Sequence, residues 1–116
     1  MKYMLLMYAH ESKVPPTLEE IQAAAPVWSA LAEEMKSAGV WLSNSGLSSV
    51  VNATTVRVRD GKTLITDGPF AETHEQLGGY FLLECKELDE ALRWAEKIPT
   101  AKYGSIEIRP LWSPKQ

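Results

Sequence analysis

Cysteine is nearly absent. Cys85 stands alone, so the chain can close no internal disulfide and cannot build a four-cysteine zinc site within itself. Long apolar runs are missing as well: no stretch approaches the roughly 18 residues that a membrane span requires. The apolar run from Tyr3 to Ala9 follows Lys2 but ends at His10 and Glu11 without a small-residue cleavage pattern. It therefore predicts a first β-strand of a cytoplasmic protein rather than a signal peptide. There is no surplus of basic charge, since 12 Lys and Arg face 15 Asp and Glu for a net charge of −3. Nucleic acid, which needs a clustered basic footprint, is not an expected partner. No Walker loop, G-x-G-x-x-G or G-x-S-x-G occurs, so the nucleotide, dinucleotide and serine-hydrolase readings lose their motifs.

What remains is one domain spanning residues 1–116, 45% hydrophobic and long enough to bury a single core. The nearly continuous apolar run at residues 2–9 predicts a strand buried on both faces. After the polar 10–16 loop, Thr17 and Glu20 have capping-box spacing. The following helix places Leu18, Ile21, Ala25, Trp28, Leu31, Ala32 and Met35 on one stripe and ends at Gly39. Pro26 predicts a kink or break near residues 22–25, because it removes a backbone donor and crowds the carbonyl of Gln22. Residues 40–49 read as a second extended segment, weakened at Asn44, Ser45 and Gly46.

Asp60-Gly61 is the dipeptide of a two-residue type I′ hairpin. It joins residues 54–59 to 62–66 and aligns Val58 with Thr63 and Val56 with Ile65, with Arg57 and Arg59 on one exposed face. A strand at 79–85, a helix at 88–98 stopped by Pro99, and an alternating strand at 105–111 complete the chain. Trp94 falls off the Leu88/Leu92/Ala95 stripe and is a candidate for an interface. Strand-helix-strand thus occurs twice, around a hairpin. The pattern predicts an α+β fold with a split βαβ antiparallel sheet, its two most apolar strands at the centre and helices on one face only. The opposite face then needs a cover, most simply a second copy of the chain.

The densest chemistry lies in Asp67-Gly68-Pro69-Phe70-Ala71-Glu72-Thr73-His74-Glu75-Gln76-Leu77-Gly78-Gly79-Tyr80. Asp67, Gly68 and Pro69 are turn formers, and Asp67, Glu72 and His74 lie within eight positions. His10 and Glu11 end the strand expected to neighbour Tyr80–Cys85. A histidine near neutral pH takes or gives a proton, and a carboxylate bonded to it raises its basicity and fixes its tautomer. His10, Asp67 and His74 are therefore the candidate acid/base groups. Tyr8, Gly68, Glu72, Tyr80 and Arg109 are the candidate ligand contacts, with Gly78 and Gly79 allowing close backbone approach. Each has an ordinary structural role too: turn capping for Asp67, core packing for the tyrosines, a surface ion pair for Arg109. No metal is expected, because no His-x-x-x-His or Glu-x-x-His spacing occurs.

The run DGPFAETHEQLGGYFLLEC resembles the signature of the DGPF-type branch of the YCII-related family. The likeness continues through ATTVRVRDGKTLITDGPF, LDEALRWAEKIP, GSIEIRPL and the N-terminal MKYMLLMYA. His74 departs from the pattern, which has lysine there, and the departure weakens a catalytic role for it. The resemblance implies a ferredoxin-like α+β domain that pairs into a homodimer, a dimeric α+β barrel-like assembly, and brings no settled activity. Two functions are expected to compete. One is a cofactor-free enzyme that moves a proton on a small organic ligand, in a lyase or isomerase step, using a His or Asp. The other is a non-catalytic regulatory or protein-interaction module, such as a transcription-related one.

Overall fold

The computed structural model describes residues 1–12 and 14–114; Lys13, within the predicted 10–16 loop, and residues 115–116 lie outside that description. The elements run β1 (Lys2–Ala9), α1 (Leu18–Ser37), β2 (Trp41–Gly46), β3 (Thr54–Arg59), β4 (Lys62–Asp67), β5 (Gln76–Glu84), α2 (Leu88–Lys97) and β6 (Ser105–Pro110), with short 3₁₀ turns at Val50–Asn52 and Pro99–Lys102. Four strands form one sheet in the order β2-β5-β1-β6, and every neighbouring pair is antiparallel. The two apolar strands β1 and β5 are central, as a split βαβ unit requires, and the arrangement is compatible with a ferredoxin-like fold. β3 and β4 stand apart as a two-stranded sheet.

Strand alternation divides the large sheet into two chemically distinct faces. Tyr3, Leu5 and Met7 of β1 and Phe81 and Leu83 of β5 are buried on the helix side, with Leu31 and Met35 of α1 and Ala91 and Ala95 of α2. The register places Met4 opposite Leu82 and Arg109, and Leu6 opposite Tyr80 and Glu107, on the other face. Among the described residues no helix covers that side. Gly79 belongs to the tight centre of the sheet: a Cβ there falls 2.6 Å from the Ser45 carbonyl oxygen, so β2 and β5 approach this closely only because the side chain is a hydrogen.

Both ends of α1 follow local chemistry. Thr17 Oγ1 accepts from the Glu20 N–H at 3.1 Å while Glu20 reaches back to the Thr17 N–H at 3.3 Å, a closed capping box. At the other end Val40 N–H donates to Met35 O and Gly39 N–H to Lys36 O, with Gly39 at φ +76°. These two bonds form a Schellman motif.

Several expectations are corrected. The helix runs unbroken through Pro26; residues 18–27 are exposed, so water can satisfy the Gln22 carbonyl that lost its partner. The predicted apolar stripe is real in phase but only half used. Leu31 and Met35 are buried and Trp28 is half-buried, whereas Leu18 and Ile21 remain 70% and 52% exposed, because the first half of the helix extends past the sheet. The second extended segment is shorter than 40–49: β2 spans Trp41–Gly46, and the Val50–Asn52 turn follows after residues 47–49. The hairpin register is as expected, Val56 opposite Ile65 and Val58 opposite Thr63, with Asp60 and Gly61 both at positive φ. Its exposure is inverted. Arg57 is half-buried, its guanidinium donating to Phe70 O, while Val56, Val58 and Ile65 are 61–70% exposed. Trp94 packs partly buried against the core, with Lys97 Nζ 5.0 Å from the ring centroid. Cys85 is buried beneath the N-terminus, its N–H donating to Met1 O and its carbonyl accepting from the terminal ammonium.

Candidate functional site

On the helix side, where β1 ends, a cavity of about 430 Å³ opens between α1, the sheet and the Pro99–Lys102 turn. Its apolar wall includes Met7, Trp28, Phe81 and Tyr103, and its polar rim includes His10, Glu11, Asn44 and Gln76. Trp28 and Phe81 lie nearly parallel at 14°, with ring centroids 6.4 Å apart, so the wall presents stacked aromatic surface. Concave, mainly apolar lining with few convergent polar groups is the usual form of a small-molecule site.

The rim is fixed by contacts between segments far apart in sequence. The His10 Nδ1 lies 3.0 Å from the His74 carbonyl oxygen, and the two imidazoles stack at 5.7 Å. A carbonyl only accepts, so Nδ1 carries the hydrogen and, in the neutral ring, Nε2 keeps the lone pair. Glu11 N–H donates to Gln76 Oε1 at 2.8 Å, and Gln76 Nε2 donates to the Thr73 carbonyl. The Glu11 carboxylate accepts from Ser49 Oγ at 2.8 Å and from the Val50 N–H at 3.0 Å. Glu11 and Gln76 thereby tie the end of β1 to the 68–75 loop and to residues 47–53. Neither was among the candidates named from the sequence for the site itself, although Glu11 was noted beside His10. Gln76 carries no local signal, because its importance comes from a partner 65 positions away.

The predicted residues separate into groups. His10 lines the cavity, and His74 touches His10 through its carbonyl and ring. Glu72 borders a smaller recess of about 230 Å³ with Val50, Pro69, Ala71, Thr73 and Gln76; Gln76 lines both spaces. Asp67 ends β4 opposite Thr54, exposed, and no hydrogen bond or ion pair joins it to either histidine among the described residues. Gly68, at φ +101°, donates to Ala53 O at 2.7 Å and accepts from Thr55 Oγ1 at 2.8 Å, which fixes the turn at the hairpin base. Tyr8, Tyr80 and Arg109 fall by alternation on the open sheet face, away from the cavity. Gly78 lines the cavity, whereas Gly79 is held in the ladder opposite Met7 and Gly46. Among the described residues no three His, Cys, Asp or Glu side chains gather as metal ligands, and no helix is long and apolar enough to cross a membrane.

The family model for the YCII-related domain matches residues 1–115. An uncharacterized protein of Rhizobium meliloti (strain 1021) is 39% identical over 114 residues, covering 96% of this chain and 92% of that protein.

Proposed function

For a chain that belongs to the YCII-related family, we propose a small-molecule site in the helix-side cavity, with His10 as the group that takes a proton from a bound organic ligand. The observation that carries the proposal is the pairing of His10 Nδ1 with the His74 carbonyl. It leaves Nε2 as a hydrogen-bond acceptor and base on a residue that lines the cavity. The aromatic and thioether wall of Trp28, Phe81, Tyr103 and Met7 suits a ring or a flat conjugated acid. Among the described residues neither Lys nor Arg lines the cavity, so these residues offer no countercharge to a ligand with several negative charges. The chemistry that fits is cofactor-free proton transfer, as in a lyase or isomerase step. In the same reading a second copy covers the open face formed by Met4, Leu6, Tyr8, Tyr80 and Leu82 and completes a barrel-like dimer.

The non-catalytic alternative also has an observation behind it. His10 is oriented by a carbonyl and not by a carboxylate, and the Glu11 carboxylate is already bonded to Ser49 and Val50, so the rim also suits a site that binds without reacting. A thermal-shift screen of small carbonyl acids, lactones and phenols separates the two readings. A ligand present at a hundredfold excess over its Kd stabilises the fold by about 2.7 kcal/mol. For catalysis, His10→Ala lowers turnover of that ligand by on the order of 10²-fold or more with the fold intact. Binding with no turnover in the unaltered chain selects the regulatory module, and no stabilisation by any compound removes the small-molecule reading.

A further inference from the structure

Asn44 lines the same cavity as His10, and an irregularity in the sheet puts it there. The β2–β5 register sets Trp41 opposite Leu83, Ser43 opposite Leu82 and Asn44 opposite Phe81, so Leu42 is an extra residue in a β-bulge. In a regular strand, residues three apart point to opposite faces. The bulge instead turns Trp41 and Asn44 to the helix side together, with Leu83 and Phe81. There the Trp41 indole Nε1–H donates to Asn44 Oδ1 at 2.7 Å. An indole N–H only donates, so the amide gives its oxygen to Trp41 and keeps its NH2 group free. Trp41 is itself held, packed partly buried against the core with Lys36 Nζ 4.6 Å from its ring centroid.

The other side-chain donors of the cavity are committed or loose. Gln76 Nε2 donates to Thr73 O, Ser45 Oγ to Gly46 O, and Thr100 Oγ1 faces Met7 Sδ. Tyr103, 70% exposed, has no hydrogen bond to pin its hydroxyl among the described residues. Asn44 Nδ2 has no protein acceptor among those residues either, but its amide is fixed from behind. The cavity therefore carries one oriented acceptor, His10 Nε2, and one oriented donor, Asn44 Nδ2, beside an apolar aromatic wall.

Given the small-molecule reading of this cavity, on which this rests, we propose that Asn44 receives the carbonyl oxygen of the substrate, and that the substrate class is a compact enolisable carbonyl compound. His10 Nε2 takes a proton from the carbon beside the carbonyl. The C–H electron pair becomes a carbon–carbon double bond, and the carbonyl π pair moves onto the oxygen held by Asn44 Nδ2. The imidazolium then returns the proton, to the same carbon or, in a conjugated ligand, to one further along. Atoms and electrons balance without an oxidant, a reductant or a second substrate. Negative charge develops on the oxygen, and a donor oriented in advance strengthens its bond there without reorganising. Trp41 acts through Asn44, as a positioning residue.

Three probes of one shape test this on the full chain: β-tetralone, an acceptor with an acidic C–H; tetrahydro-β-naphthol, which also donates; and tetralin, which does neither. β-Tetralone is expected to bind at least roughly fivefold more tightly than tetralin. Asn44→Asp keeps the side-chain size and the acceptor for Trp41 but has no donor, and is expected to erase that preference with tetralin affinity unchanged. Trp41→Phe frees the amide to turn and is expected to reduce the preference partway, again without moving tetralin. His10→Ala is expected to weaken the naphthol and spare the ketone. In heavy water the unaltered chain is expected to speed hydrogen exchange beside the carbonyl of β-tetralone, with His10→Ala and Asn44→Asp each lowering the rate on the order of 10²-fold. A ketone preference that survives Asn44→Asp overturns the proposal, as does exchange that needs His10 but not Asn44; in both cases the His10 site itself stands. Loss of tetralin and ketone affinity together in Asn44→Asp makes Asn44 a wall residue and also overturns it. Ketone bound through Asn44 without exchange overturns the enolisation step and selects the binding module. Binding of none of the probes overturns the proposal too, and only a thermal-shift screen empty of every other compound extends that failure to the small-molecule reading.

Discussion

Cys85 makes stability fall as pH rises between about 9 and 11, in a way that can be worked from the fold. The thiol is 2% exposed. Burial, and next the nearby Glu90 carboxylate, push it from its ordinary 9.0 up to about 11. Below pH 9 both the folded and the unfolded chain keep the proton and the group is neutral to stability. Above it the unfolded chain ionises first, so the unfolded state binds fewer protons and stability declines. With 1.36 kcal/mol per unit, the loss is about 1.4 kcal/mol by pH 10 and about 2 kcal/mol by pH 11. Urea denaturation at pH 8, 9, 10 and 11 measures it, with Cys85→Ala as reference, because the other titrating groups cancel in the difference between the chains. The expected result is that the stability advantage of the unaltered chain over Cys85→Ala shrinks by that amount across the range. A difference that stays constant to pH 11 would refute the argument, since it would mean that the folded chain ionises Cys85 as freely as the unfolded one.

Three other outcomes follow from the geometry. Gly79→Ala drives a Cβ to within 2.6 Å of the Ser45 carbonyl, and is expected to cost about 1–3 kcal/mol in a thermal melt as β2 and β5 are forced apart. Gly104→Ala drives a Cβ into the Tyr8 carbonyl oxygen and is expected to cost a similar amount, read by chemical denaturation. Thr17→Ala removes the cap from α1 and is expected to lower stability by about 1 kcal/mol, with amide exchange speeding up first at residues 18–21.

The sequence disclosed those parts of the fold that local chemistry controls. Asp60-Gly61 specified the hairpin register because a type I′ turn leaves no freedom in pairing, and the apolar runs of β1 and β5 identified the central strands, although burial on both faces, expected of residues 2–9, is not met: only the helix-side residues of each strand are buried and the alternate ones are half-buried. Thr17, Glu20 and Gly39 marked both ends of α1 by the same local logic. Periodicity also found the stripe on α1, yet it could not reveal that the helix extends past the sheet and leaves Leu18 and Ile21 bare. The alternation of β3 likewise gave two faces without saying which one turns inward. That choice depends on the Phe70 carbonyl meeting Arg57. The site was legible to the same degree. His10 was found from its place at the end of an apolar strand, whereas Glu11 and Gln76 act through partners 38 to 65 positions away. Tyr8, Tyr80 and Arg109 were grouped with the loop by chemistry, and strand parity puts them on the other face.

The central claim is that His10 offers Nε2 as a lone-pair nitrogen because Nδ1 is committed to the His74 carbonyl. Long-range proton–nitrogen NMR of the imidazoles reads this directly, with His10→Ala supplying the assignment. The account predicts the Nδ1–H tautomer for His10, with an unprotonated Nε2 whose shift moves when a cavity ligand is added. A His10 in the Nε2–H form, or one exchanging freely between the two, would contradict it.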